Sequence, residues 1–188
     1  MAAPKKDRRV QKTERVLREA LTSLMHEKSY DTIAVKEIVG RADVGRSAFY
    51  THFHDKDSLL ASGIHEILDA ARPAAPNDRG LWFSLPVLEY VGRRRHASHI
   101  GMDARGRAIV HEHLRQVLVE RLTDDEAVPA PRSGAALSRE LLIDYLATTF
   151  VLVLNWWIDS RSPLSPREVD GLYRSLVGPT LAATTLPP

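Results

Sequence analysis

Residues 35–56 of this 188-residue chain hold its densest set of groups able to meet a nucleic acid. Two short helical stretches, Val35 to Arg41 and Arg46 to Phe53, flank the break Ala42-Asp43-Val44-Gly45, where Asp and Gly supply turn chemistry. Two short helices joined by a tight turn describe a helix-turn-helix, whose second helix enters the major groove and reads base edges with its N-terminal residues. Here those are Gly45, Arg46, Ser47 and Ala48. Arg46 can pair bidentately with guanine or hold a phosphate, Ser47 suits either partner, and Ala48 can touch a thymine methyl. Tyr50, Thr51 and His52 follow on the side expected to be exposed and can hydrogen-bond phosphates. Lys36 and Lys56 are further candidate contacts, Lys56 adding its charge at the start of the next helix. On spacing alone, a helical hairpin with no nucleic-acid role fits as well.

Other chemistry is poorly supplied. With no Cys, disulfides, Cys-ligated zinc and thiol catalysis are excluded. His96 and His99 stand three apart in a stretch without a clear period, and His111 and His113, two apart, diverge on a helix. His-Glu-His is not the zinc-binding His-Glu-x-x-His. Neither a Gly-rich phosphate loop nor a nucleophile elbow is present. The expectation is no catalytic site, no metal and no cofactor.

The charge places the candidate site in context. The chain holds 26 Lys+Arg and 24 Asp+Glu, a formal net charge of +2. Residues 1–60 hold 12 basic and 9 acidic groups, and all six lysines lie at or before Lys56. A basic N-terminal end suits a polyanion, although a solvated tail explains it too.

The elements that must position these residues read as all-α. Helical patterns cover residues 8–28, the two stretches above, and a helix from Lys56 capped by Asp55, with Pro73 and Pro76 at or beyond its end. Further patterns run over Leu81–Arg94, Ala104–Leu122 and Ser138–Asp159. Ser165-Pro166-Arg167-Glu168 is a capping box opening the last helix. The uncharged run Tyr145 to Ile158, which no other exceeds in length, is shorter than the roughly 20 residues of a membrane helix, and Met1 to Lys6 carries no apolar leader. A soluble, cytoplasmic protein is expected.

Three segments together now carry a resemblance. They are Tyr30 to Ile38, Ala42 to Phe53 with its Phe49-Tyr50-Thr51-His52-Phe53 run, and Asp55-Lys56-Asp57-Ser58-Leu59-Leu60. They resemble the N-terminal domain of TetR/AcrR-family transcriptional regulators over about residues 10–70. The resemblance implies a three-helix DNA-binding domain at 10–70 and a helical regulatory and dimerisation domain at 71–188. It puts Tyr50 and Lys56 where phosphate contacts usually occur. Ala34 stands where the family often has a Thr or Ser that caps the first helix of the motif and touches a phosphate. Gly45 and Ala48 replace commonly polar positions of the reading helix.

Residues 138–173, with Leu152-x-Leu154-Asn155-Trp156-Trp157-Ile158, are similar to the last helices of one TetR-like subgroup, which form a four-helix bundle between two subunits. The pattern agrees. Leu141, Tyr145, Leu152 and Trp156 mark one face and Leu142, Leu146, Val153 and Trp157 another, so the helix must be covered on two sides. Leu172 and Leu176 extend the candidate dimer contact. The family also implies an inducer pocket, with Trp82, Phe83, Leu88, Met102, Val110, Leu114, Phe150 and Val153 as candidate lining, although such residues also suit plain core. The expected function is a homodimeric repressor on a pseudo-palindromic operator, released by a small molecule. The alternative is a TetR-like protein controlled by a protein partner.

Overall fold

The computed structural model describes residues 5–71, 81–98, 104–125, 128, 137–160 and 162–185, and among them every regular element is a helix. In order these are α1 (Lys5–Glu27), a 3-10 turn (Tyr30–Thr32), α2 (Val35–Ala42), α3 (Arg46–His52), α4 (Lys56–Ala71), α5 (Ser84–Ser98), α6 (Ala104–Thr123), α7 (Arg139–Asp159) and α8 (Pro166–Thr185). Two compact units result, Met1–Ile64 with Ala97–His113, and His65–His96 with Leu114–Pro188. Thus α4 and α6 are each shared between units, α6 changing over after His113.

The first unit is built on one apolar seam. Leu17, Leu21 and Leu24 of α1 are buried with Ile38 and Val39 of α2, Phe49 of α3, Phe53 and Leu59. Phe49 and Phe53 are one helical turn apart, with ring centroids 5.8 Å apart, and both point inward. From α6, Ile109 and Val110 pack against this core. Between α2 and α3 the chain reverses at Asp43, which takes φ 53°. Asp tolerates this left-handed conformation better than most residues, and the Val44 N–H reaches back to Val39 O at 3.1 Å.

Each helix start has its own solution. Asp55 Oδ1 accepts from Ser58 N–H at 2.7 Å, so it caps α4 as its position predicts, and this bond holds its carboxyl below the usual range. At α8, Glu168 Oε2 accepts from Ser165 N–H at 2.7 Å, and Ser165 Oγ accepts from Glu168 N–H at 3.4 Å. At α2, Ala34 has no side-chain oxygen to offer. Instead Glu37, one turn on, accepts from the Ala34 N–H at 2.9 Å while Lys28 donates to both its oxygens at 2.6 and 2.7 Å. Half a capping box thus survives, anchored by a lysine at the end of α1.

The second unit centres on aromatic rings. Phe83 and Phe150 meet edge to face at 5.0 Å, and Tyr173 stands 5.3 Å from Phe150. Their polar neighbours are satisfied. Tyr173 donates to Leu146 O, Trp82 Nε1 to Asp125 and Trp157 Nε1 to Leu164 O. Buried Ser84 donates to Asp170, which also accepts from Arg174 Nε at 2.6 Å. Arg139 reaches the carbonyls of Leu122, Thr123 and Asp125, closing the C-terminal end of α6. Gly92 of α5 lies so near α7 and α8 that a Cβ there would stand 2.9 Å from Pro166 Cγ and 3.3 Å from Trp157 Cη2.

The uncharged run Tyr145–Ile158 is part of a longer, 21-residue helix, α7, which by length and composition alone is apolar enough to cross a membrane. Its apolar residues divide between two sides. Leu142, Ile143, Leu146, Phe150, Val153 and Trp157 are buried, whereas Leu141, Leu152 and Trp156 are exposed.

Two outcomes follow from these packings. Lys28 and the Ala34 N–H together hold the Glu37 carboxyl below its ordinary 4.5. Its contribution is therefore present above that value and lost as pH falls through the lower, folded value. Glu37→Gln should lower the thermal midpoint at pH 7, and the two midpoints should converge as the pH is taken through the carboxylate range, read by circular dichroism. Phe150→Ala should cost about 3–5 kcal/mol in urea unfolding.

Candidate nucleic-acid interface

The inward commitment of Phe49 and Phe53 decides which face of α3 is left open. With Phe49 fully buried, Gly45, Arg46, Ser47, Tyr50 and Thr51 are exposed and Ala48 is half-buried. The Arg46 guanidinium carbon lies 5.6 Å from the Tyr50 ring centroid, a cation–π contact along the exposed face. Arg46 has no ion pair among the described residues, so its donors remain available to an acceptor. Thr51 Oγ donates to Ser47 O at 2.9 Å, leaving its oxygen lone pairs able to accept.

Gly45 sits at the α3 N-cap with φ −68°, so no side-chain oxygen covers the first N–H groups. A Cβ there would meet only Ser47 Oγ at 3.7 Å, so its value is an uncovered helix start rather than conformational freedom. Ala34 at the start of α2 is likewise exposed, and Lys36 two residues on is exposed without an ion pair among the described residues. The resulting face carries cations, hydroxyls and one tyrosine, the mixture that phosphates and base edges require.

Two candidates lie differently from the sequence expectation. His52 is turned back to α1, its Nδ1 3.6 Å from Glu14 Oε1 with its side chain 16% exposed, so it is not on the open side with Tyr50 and Thr51. Lys56 turns inward as well, its Nζ donating to Tyr30 O at 2.8 Å and to Asp31 O and Ile33 O at 3.2 Å. The ammonium also lies 4.5 Å from the Tyr30 ring centroid. The Tyr30 hydroxyl donates to Asp57, and burial with that carboxylate pushes the phenol above its ordinary range. Neither partner set has a local signal in the sequence, because both connect residues far apart along the chain. The supporting role of Glu37 did have one, a Glu three residues after an N-cap position.

In the second unit, Trp82, Phe83, Leu88, Leu114, Phe150 and Val153 are all buried, and Phe83 touches both Trp82 and Phe150 ring to ring. Val110 lies instead in the first unit against its core, and Met102 falls outside the described residues. Leu141, Leu152, Trp156, Leu172 and Leu176 are 40–65% exposed on α7 and α8. The Tyr145 hydroxyl donates to Leu176 O at 3.1 Å, tying the two helices across this outer face. Among the described residues every exposed large apolar side chain except Tyr50 lies on these two helices.

Residues 17–62 match the family model for bacterial regulatory proteins of the tetR family. The match takes in α2, the turn, α3 and the capped start of α4. No curated protein matches the chain. Among solved structures it is similar to a TetR transcriptional regulator from Streptococcus agalactiae 2603V, at 22% identity and TM-score 0.55, over 92% of this chain and 97% of that one. It is also similar to the dihydroxyacetone kinase operon activator DhaS, at 15% identity and TM-score 0.55, with the same coverage. At these identities the likeness is one of fold, and it extends through both units. Residues 17–62 thus carry a helix-turn-helix domain similar to that of the tetR-family bacterial regulatory proteins, within a helical fold shared with those structures.

Proposed function

We propose that the protein is a homodimeric repressor that places α3 of each subunit in a major groove of a pseudo-palindromic operator, in the cytoplasm. The observation that carries this reading is the open face of α3, where Arg46, Ser47, Tyr50 and Thr51 stand exposed above a buried Phe49. Arg46 supplies base readout or a phosphate clamp. Tyr50, Thr51 and Lys36 supply positioning contacts to phosphates, and Ala48 lies close enough to the exposed edge to meet a methyl. The α2 start offers no hydroxyl at Ala34, whose own N–H is taken by Glu37. Two half-sites would lie about one helical turn, roughly 34 Å, or a multiple apart.

The homodimer is supported by the outer face of α7 and α8. Leu141, Leu152, Trp156, Leu172 and Leu176 expose apolar surface on two neighbouring helices, and a self-complementary two-fold contact would cover it.

Control by a small molecule follows from the family's habit and would act through the second unit. An effector would work only by binding the DNA-incompetent state more tightly. The edge-to-face contacts of Phe150 with Phe83 and Tyr173 pack the interior of the second unit and support the second reading, a regulator governed by a protein partner. Thermal-shift screening of metabolites separates the two, since a ligand of the folded state raises the midpoint.

Mobility shift with the DNA upstream of the protein's own gene tests the central claim, and the absence of a shift on any fragment at low salt would refute it. Arg46→Ala should cost about 1–3 kcal/mol of operator affinity and relax discrimination at one base pair, whereas Tyr50→Phe should weaken binding evenly across sequences. Leu152→Glu with Trp156→Glu should convert the dimer to a monomer in light scattering after size exclusion, and operator affinity should fall with it.

A further inference from the structure

The Lys56 ammonium has three N–H donors and no acceptor capacity. All three are engaged within the protein, by the carbonyls of Tyr30, Asp31 and Ile33 at 2.8, 3.2 and 3.2 Å. The Tyr30 ring covers the cation at 4.5 Å. That ring is 3% exposed, and its hydroxyl is held by Asp57, the residue after Lys56. The arrangement is therefore closed. It joins the start of α4 to the bend between α1 and α2, and Ile33 immediately precedes Ala34, where α2 begins without a side-chain cap.

We propose that Lys56 is a positioning residue that sets the entry of α2, and through α2 the aim of α3, rather than a ligand of a DNA phosphate. A phosphate contact would draw the ammonium away from these carbonyls; Tyr30 O also accepts from the Ile33 N–H at 3.1 Å, whereas Asp31 O and Ile33 O have no second donor among the described residues. The role rests on the regulator reading above. It assigns to the resemblance's phosphate position a different task in this chain.

The test is operator and random-duplex binding by fluorescence anisotropy over a salt series. It is run at low temperature, where circular dichroism shows the variants folded. Lys56→Met should raise the operator Kd by about tenfold while changing the random-duplex Kd less than about twofold, because aim is lost and charge neutralisation is not. The slope of log affinity against log salt should stay as in the wild type. A loss shared by both duplexes, with the slope reduced by about 0.9, would identify a phosphate contact and overturn the proposal. So would an unchanged operator Kd accompanied only by a lower thermal midpoint, which would reduce Lys56 to stability. Should Lys56→Met not fold, Lys56→Arg decides. It keeps the charge but cannot place three donors around one nitrogen, so discrimination should fall, whereas a phosphate contact would survive with its affinity intact. A wild-type protein that binds no duplex removes the regulator reading itself and this role with it.

Discussion

Three carbonyl oxygens converge on one ammonium group where α1 gives way to α2, and the geometry of the first unit descends from that bend. The turn satisfies Tyr30 O in part through the Ile33 N–H at 3.1 Å, and Lys56 adds a donor there and supplies those of Asp31 O and Ile33 O. From Ile33 the chain enters α2, reverses at Asp43 and enters α3, so the direction of each helix is inherited from the one before. Phe49 and Phe53 then lock α3 by burial, which is a stronger constraint than any contact on its open side. The helix α3, whose outer face is polar and exposed, is held from behind.

The second unit solves a related problem with different means. Its rings are large, and each polar atom among them has a partner: Trp82 with Asp125, Ser84 with Asp170, Trp157 with Leu164. Leaving such a group unpaired inside would cost on the order of 1–3 kcal/mol, so these bonds specify which rings face which. On the outside of α7 and α8 the opposite holds, since apolar side chains stand exposed there with no such partners. One long helix thus carries an interior on one side and an unfinished surface on the other.

How far the sequence reveals this depends on the distance between the partners. The helix-turn-helix was legible because apolar residues recur at helical spacing and because the Ala42–Gly45 break has turn chemistry. Asp55 and the Ser165–Glu168 box were legible because capping partners lie three residues apart. The inward turn of His52 to Glu14 and of Lys56 to the Tyr30 corner was not, since periodicity says which face of a helix is apolar and nothing about which distant group a polar side chain meets. The same limit explains Val110. Its spacing on α6 suits a lining residue, but the first half of that helix packs with the first unit. Ala34 offers no cap, and the substitute at Glu37 lies three residues on in the sequence, yet its anchor at Lys28 requires the fold.

The contact of α5 with α7 and α8 has a consequence for how such a chain can vary. Gly92 leaves room for Pro166 and Trp157, and a Cβ would intrude on the proline ring at 2.9 Å. Neither neighbour yields easily, because Pro166 forms the first position of α8 and Trp157 is held through its indole N–H. The three positions are therefore coupled in heredity as well as in space. A descendant bearing a Cβ at 92 requires Pro166 or Trp157 to give way, so what position 92 accepts depends on what stands at 157 and 166.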